Sequence, residues 1–480
     1  MLASRDCVEY NKRMTKLSLL SMILLSGVGA MVQEAAGATA GVPQTVEARL
    51  AQVLDAMVKT NDEDFYEAAR VVLEGTGDET ALLPMMQAAA KQGNAAAITW
   101  VCMYNIPFVS NDKAAFKRLL DKLKVAAEAK YVPAMVLLSQ MSLAEQENEA
   151  KAWLMEACKS GNRKARALYL LQSGRLEPSK LNAPEVVSEL KKGNYYLEEL
   201  VAGAQTSEAE ALRWMLLAEE HGSNTAPYLL SQTEKNPAKA ARHLQLAVER
   251  HNVMAMYLYG VLLQRADSLD VSQQLGLKPN AQEAYKNLAI AAMLSSPEAA
   301  SAIAMAYANG ELKDAPPERI YRLFEYAHKC GLAEGSAGVG YCMVLGVGCK
   351  RDEEQGMSML KEARDRGALW VNQALASIYF NGAGSIKPDM RKALDALSDD
   401  AASGSVYAYA IMAGIAALGN ESAKPDTSAA EVYMSFAKAI NPRVDAQTNI
   451  RVAEHADKTY KAIVTSKSWC FFPKLVKSSR

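Results

Sequence analysis

The sequence predicts an all-α protein built as a stack of about ten or eleven helix–turn–helix pairs, and three observations carry that prediction. Glycines recur at one period: Gly310, Gly346 and Gly382 are 36 residues apart, and Gly419 follows 37 later. Other residue classes keep the same register, with Gly331, Gly367 and Gly404 as one series and Asp352, Asp389 and Asp426 as another. Composition agrees: half the residues are hydrophobic, yet only 5 Trp and 8 Phe occur among 480, so the core must be built from small and aliphatic side chains. A fixed period near 36 residues is the signature of a repeat array whose units bury their apolar stripes only by stacking. A formal net charge of −1 gives no overall electrostatic ground for nucleic-acid binding.

Residues 1–40 read as a signal peptide. Arg5, Lys12, Arg13 and Lys16 precede the uncharged run from Leu17 to Val32, which is shorter than the ~20 residues of a membrane span. Ala36-Gly37-Ala38 and Ala38-Thr39-Ala40 both fit a small-residue cleavage site, so export to the periplasm or outside the cell is expected, with no stable membrane span in the mature chain. The start at Met1 or at Met14 stays open.

From 41 to 298 the same grammar is present with uneven spacing. Gly93-Asn94, Gly161-Asn162, Gly193-Asn194 and Gly222-Ser223 each follow an amphipathic segment, as the later glycines do, so these units are predicted to be degenerate helix pairs. Ala266 to Asn280 is an insertion long enough to suggest a functional loop.

Residues 299–445 hold the well-defined units. Ala374 to Phe380 has helical spacing and ends at Asn381-Gly382, where glycine supplies the positive φ of a tight turn, as Gly310, Gly346, Gly348 and Gly384 are expected to do. Pro388-Asp389 then starts a second helix, the carboxylate accepting exposed backbone N–H groups, and Gly404 ends it. Val339-Gly340, Met343, Gly346, Gly348, Asp352 and Gly356 follow one pattern; Leu375, Tyr379, Gly382, Gly384 and Ala393 follow it again, with Asp389 one residue late. Ile303, Tyr307 and Gly310 open a third unit, and Gly414 to Ala430 form a looser fourth.

These residues resemble the Sel1-like repeat family, relatives of the tetratricopeptide repeats, over about residues 299–440. The resemblance implies a right-handed α/α solenoid superhelix and a scaffold that binds a protein or peptide on a concave surface lined by the first helix of each pair. Expected contact residues are Asn372, Gln373 and Ser377 in one unit and Tyr407, Tyr409 and Met412 in the next; packing of Tyr409 and Met412 against the following pair is the competing account.

The remaining chemistry is sparse. Some Sel1-like proteins are reported to act on β-lactams, which gives an alternative reading as an exported cell-wall or β-lactam hydrolase. The strings Ser358-x-x-Lys361, Tyr285-x-Asn287 and Lys159-Ser160-Gly161 are present, but in the reverse of the order such enzymes use, with the last at a helix-ending turn. An enzyme is therefore not expected, nor a cofactor or metal: no cysteine or histidine cluster has ligand spacing, and His243 and His251 stand eight residues apart. Cys342 and Cys349, seven apart across a turn, are the local candidates for a disulfide, with free buried thiols as the equal alternative. In the tail, 446–480, Trp469, Phe471 and Phe472 stand among basic residues; they are expected to cap the exposed end of the last helix pair, with docking on a partner or an anionic membrane as the other option.

Overall fold

The computed structural model describes residues 45–110, 112–141, 147–177, 180–264, 275–312, 315–439 and 446–478. The signal-peptide segment and most of the 266–280 insertion lie outside them. Within the described residues the secondary structure is helical, and the chain divides into two compact units, residues 1–299 and 300–480.

In the first unit three leading helices, α1 (Val46–Thr60), α2 (Tyr66–Thr76) and α3 (Leu82–Lys91), precede a run of pairs. These are α4 (Ala95–Val109) with α5 (Lys113–Glu128), α6 (Val132–Met141) with α7 (Glu147–Lys159), α8 (Arg163–Gln172) with α9 (Pro184–Lys191), α10 (Tyr195–Ala204) with α11 (Glu208–Glu220), α12 (Thr225–Thr233) with α13 (Pro237–Glu249), and α14 (Val253–Gln264) with α15 (Ala281–Met293). Helix α16 (Pro297–Asn309) begins at the boundary. The second unit continues with α17 (Pro317–Lys329), α18 (Ala333–Leu345), α19 (Glu353–Asp365), α20 (Val371–Asn381), α21 (Met390–Ala402), α22 (Val406–Leu418) and α23 (Thr427–Ala437), then α24 (Ala446–Ser466) and α25 (Pro473–Ser478). Even-numbered helices from α4 to α22 are the first helices of their pairs and odd-numbered ones the second. Within each unit most helices pack on their sequence neighbours, the arrangement of an α/α solenoid.

Two turns alternate. Where a second helix hands over to the next first helix, one residue takes a left-handed conformation and two backbone bonds close the helix end, as in Gly93 N–H to Ala90 O and Asn94 N–H to Ala89 O. The next residue then caps the new helix: Asn94 and Asn162 each accept from the N–H three residues on. The left-handed residues are 93, 130, 161, 193, 222, 251, 295, 331, 367 and 404. Three of them are not glycine: Lys130, His251 and Ser295 have φ of 67°, 60° and 75°. Their bonds are the same, with Tyr131 N–H to Ala126 O, Asn252 N–H to Ala247 O and Ser296 N–H to Ala291 O. The repeat therefore continues unbroken through positions where no glycine marks it.

Within the later pairs the first helix ends on Gly346, Gly382 or Gly419, and Asp352, Asp389 and Asp426 cap the second helix through the N–H groups of Gln355, Lys392 and Ala429. Gly382, at φ 73° and ψ 163°, occupies a region that is essentially closed to residues with a Cβ. Small residues bring helices together: a Cβ on Gly356 would stand 2.6 Å from the Gly340 carbonyl oxygen, so α18 and α19 touch backbone to backbone. No described helix is long and apolar enough to cross a membrane.

Candidate peptide-binding face

In the second unit the first helices carry a segment of the chain's own tail. After α24 the backbone is non-helical from 467 to 472, and its polar groups are taken up by side chains of α18 and α20. Asn381 Nδ2 donates to the Trp469 carbonyl (3.0 Å), Phe471 N–H donates to Ser377 Oγ (3.0 Å), and Tyr341 Oη donates to the Phe471 carbonyl (3.1 Å). Tyr341 and Ser377 are themselves 3.2 Å apart and 36 residues apart in sequence, so one repeat position in consecutive units supplies two recognition groups.

Rings surround those bonds. Phe471 stacks on Trp370 with centroids 5.4 Å apart. Phe472, fully buried, meets Trp370 at 5.1 Å, Tyr341 at 5.5 Å and Phe324 at 6.0 Å. Trp469 packs edge-on against Phe380 of α20 at 6.2 Å. Burial pushes the Tyr341 phenol well above its usual range, so it stays a neutral donor. Tyr341, Ser377 and Asn381 also line a cavity of about 390 Å3 that reaches Gly382, Gly384 and Pro388.

The structure corrects the capping expectation for the tail. Phe471 and Phe472 lie against α18 and α20, whereas Trp469 joins Met412 and Ile415 of α22 in one buried cluster and α24 covers α22, its Ile463 seated against Gly414. The residues singled out from the sequence separate. Ser377 is buried at 1% exposure by the tail it binds. Asn372 bonds Asp400 (2.7 Å) and Gln373 is half-buried. Tyr407 is 38% exposed beside His455. Met412 is buried in one cluster with Ile463 and Trp469, and Tyr409 stacks on Phe436 of α23, the second helix of its own pair, at 5.4 Å. The thiols of Cys342 and Cys349 are free; Cys342 is a buried apolar filler and Cys349 is half-buried. Tyr341 and Asn381 were not singled out; the 36-residue spacing of Tyr341 from Ser377 is the signal that finds the first of them.

The first unit also holds a segment of its own chain, but by charge. The α1–α2 link, Asn61 to Phe65, meets residues at the starts of successive first helices. Asn61 Oδ1 accepts from Val132 N–H (2.9 Å), and the Tyr131 hydroxyl donates to the Asp62 carbonyl. Glu63 accepts from Tyr196 Oη (3.1 Å) and pairs with Lys164 Nζ (3.5 Å). Asp64 pairs with His251 Nδ1 (2.6 Å), whose ring stacks flat on Tyr66 at 3.7 Å. Carboxylates here face helix N-termini, where the backbone dipoles favour them. Behind this link, on α10, Glu198 pairs with His221 (2.7 Å), and Glu199 accepts from Ser223, whose hydroxyl caps α12 through Thr225 and Ala226 N–H. Burial pushes the Glu199 carboxyl up to about 7. This carboxylate pair left no pattern in the sequence beyond two adjacent glutamates between Leu197 and Leu200.

The hydrolase strings fall in both units. Ser358 is exposed on α19 of the second unit. In the first unit the Tyr285 hydroxyl is bonded to Glu79 (3.0 Å), and Ser160 bonds back to Ala157 at the end of α7 (2.7 Å). His243 and His251 pair with different carboxylates, Glu219 and Asp64, and no metal-holding cluster occurs among the described residues.

No family model matches the chain, and no curated protein matches it. Among solved structures the chain is similar to a Sel1 repeat protein from Oxalobacter formigenes, at 17% identity over 74% of this chain and 98% of that one, with a TM-score of 0.35. It is also similar to c5321, a protective antigen present in uropathogenic Escherichia coli strains and displaying an SLR fold, at 16% identity over 91% and 97% of the two chains, with a TM-score of 0.38.

Proposed function

We propose that the protein is an exported, non-catalytic scaffold of the Sel1-like type that holds a protein or peptide partner on the face lined by first helices. One observation carries the reading: Ser377, Asn381 and Tyr341 bind the main chain of a non-helical segment, so the face already has the chemistry of peptide recognition. A stack of helix pairs supplies such a face over many units without a catalytic cleft. Export, to the periplasm or beyond the cell, rests on the basic and apolar run before Ala40.

The test places a photo-crosslinking residue in the full-length protein in its native envelope. At Gln373 or Tyr407, on first helices, discrete protein adducts are expected; at Ser398, on second helix α21, none. The reverse pattern overturns the reading. Fluorescent penicillin should not label the protein covalently, and a label lost in Ser358→Ala would install the hydrolase instead. Intact mass of the envelope form should begin between Ala36 and Gly41; a mass that retains Leu17 to Val32 removes the export step.

A further inference from the structure

The tail in the second unit is bound as a ligand would be. Its three main-chain bonds, at Trp469 O, Phe471 N–H and Phe471 O, come from side chains on two consecutive first helices, and none depends on which side chains the bound segment carries. Selectivity comes from the neighbouring slots, with Trp370 beneath Phe471 and the Phe324, Tyr341 and Trp370 rings around Phe472. The fit is incomplete: the buried Trp370 Nε1 beside these rings has no acceptor among the described residues. A buried donor left unmade weakens the occupant that leaves it so.

We propose that this face is a docking site for a non-helical segment of a partner protein bearing two adjacent aromatic side chains, and that residues 469–475 of the same chain close it in cis. The proposal rests on the scaffold reading and specifies its ligand and its regulation. A tethered segment acts as a competitor at an effective concentration of roughly 1 mM. If the free segment binds at about 10 μM, the tether reduces the affinity for an outside ligand on the order of 100-fold.

The probe is a fluorescein-labelled synthetic peptide spanning Ser466 to Lys477 with Cys470 as Ser, read by anisotropy against full-length protein. The double variant Phe471→Ser, Phe472→Ser should bind it at least ~30-fold more tightly than the unaltered chain, and adding Asn381→Ala should weaken it ~10-fold. Equal binding to both chains, or none to a double variant whose second unit stays protected from hydrogen exchange, overturns the proposal. If the double variant does not fold, exchange in the unaltered chain decides. The Phe471 amide should exchange by local opening while α18 and α20 stay protected; exchange only with global unfolding makes the tail part of the core and ends the idea. Light scattering that finds a dimer made monomeric by the double variant assigns the occupant to a second copy and overturns it too. First-helix crosslinks that persist through any of these failures leave the scaffold reading standing.

Discussion

The two units solve one problem with opposite chemistries. In the first, a link between helices is held at the starts of first helices by carboxylates, a histidine and a lysine: Glu63 to Lys164 and Tyr196, Asp64 to His251. In the second, the tail is held by rings and neutral hydrogen bonds: Phe472 among Trp370, Tyr341 and Phe324, and Phe471 bonded to Ser377. Charged contacts near a surface are screened by salt, whereas buried apolar contacts hardly respond to it over ordinary ranges. The repeat scaffold thus leaves the character of the bound segment to the side chains on its first helices.

The largest effect that tests this contrast is expected from Phe472→Ala. Truncating a fully buried phenylalanine costs about 3–5 kcal/mol, enough to release the tail, so hydrogen exchange should accelerate in the 467–475 amides while α18, α20 and helices α6 to α12 keep their protection. Uniform acceleration would show one cooperative block.

Next comes the pH response of the first unit. Glu199 is shifted from its ordinary value of 4.5 to about 7, by burial foremost, against the favourable Ser223 bond and Lys164. Between those values the folded unit holds a proton that the unfolded chain has released, so stability falls as pH rises from 4.5 to 7 and is lower at pH 8 than at pH 5. The change is on the order of 3 kcal/mol, and Glu199→Gln should remove it and raise the urea midpoint at pH 8. A midpoint that rises with pH in the unaltered chain contradicts this burial.

Gly382→Ala should cost about 2 kcal/mol, because the new Cβ meets the Ile386 carbonyl oxygen at 2.8 Å in a conformation reserved for glycine. The matching change in the first unit has the opposite sign: Lys130→Gly relieves a left-handed lysine and should raise stability by up to ~1 kcal/mol. Thermal melts of the two variants settle both signs.

The smallest expected effect is Asp64→Asn, which loosens the link by about 1 kcal/mol through the half-buried His251 pair. Exchange of the 61–66 amides should speed up in 1 M salt in the unaltered protein, while the tail amides hardly change. Equal salt sensitivity of both segments would erase the distinction.

Legibility followed the same division. The second unit could be read because every left-handed turn from 331 to 419 is glycine and every second helix from α19 to α23 starts on Asp, so backbone demands appeared as residue types. In the first unit Lys130, His251 and Ser295 meet the same demand without the marker, and the period vanished although the turns did not. The binding face was only partly legible. Ser377 was found as a polar residue on a first helix, but its buried role depends on a tail nearly a hundred residues later, and no local pattern encodes that pairing. Met412 stayed open between the two accounts because a thioether on a first helix looks alike whether it faces solvent or a buried cluster.

The order of synthesis gives the tail a further meaning. Every side chain that holds Phe471 precedes it in the chain, and Asn381 precedes Trp469 by 88 residues. At roughly 5–20 residues per second, the ribosome needs on the order of 4–18 s to make that stretch. For those seconds the aromatic slots exist without their intramolecular occupant, a window in which a nascent first-helix face is open to whatever chain is nearby.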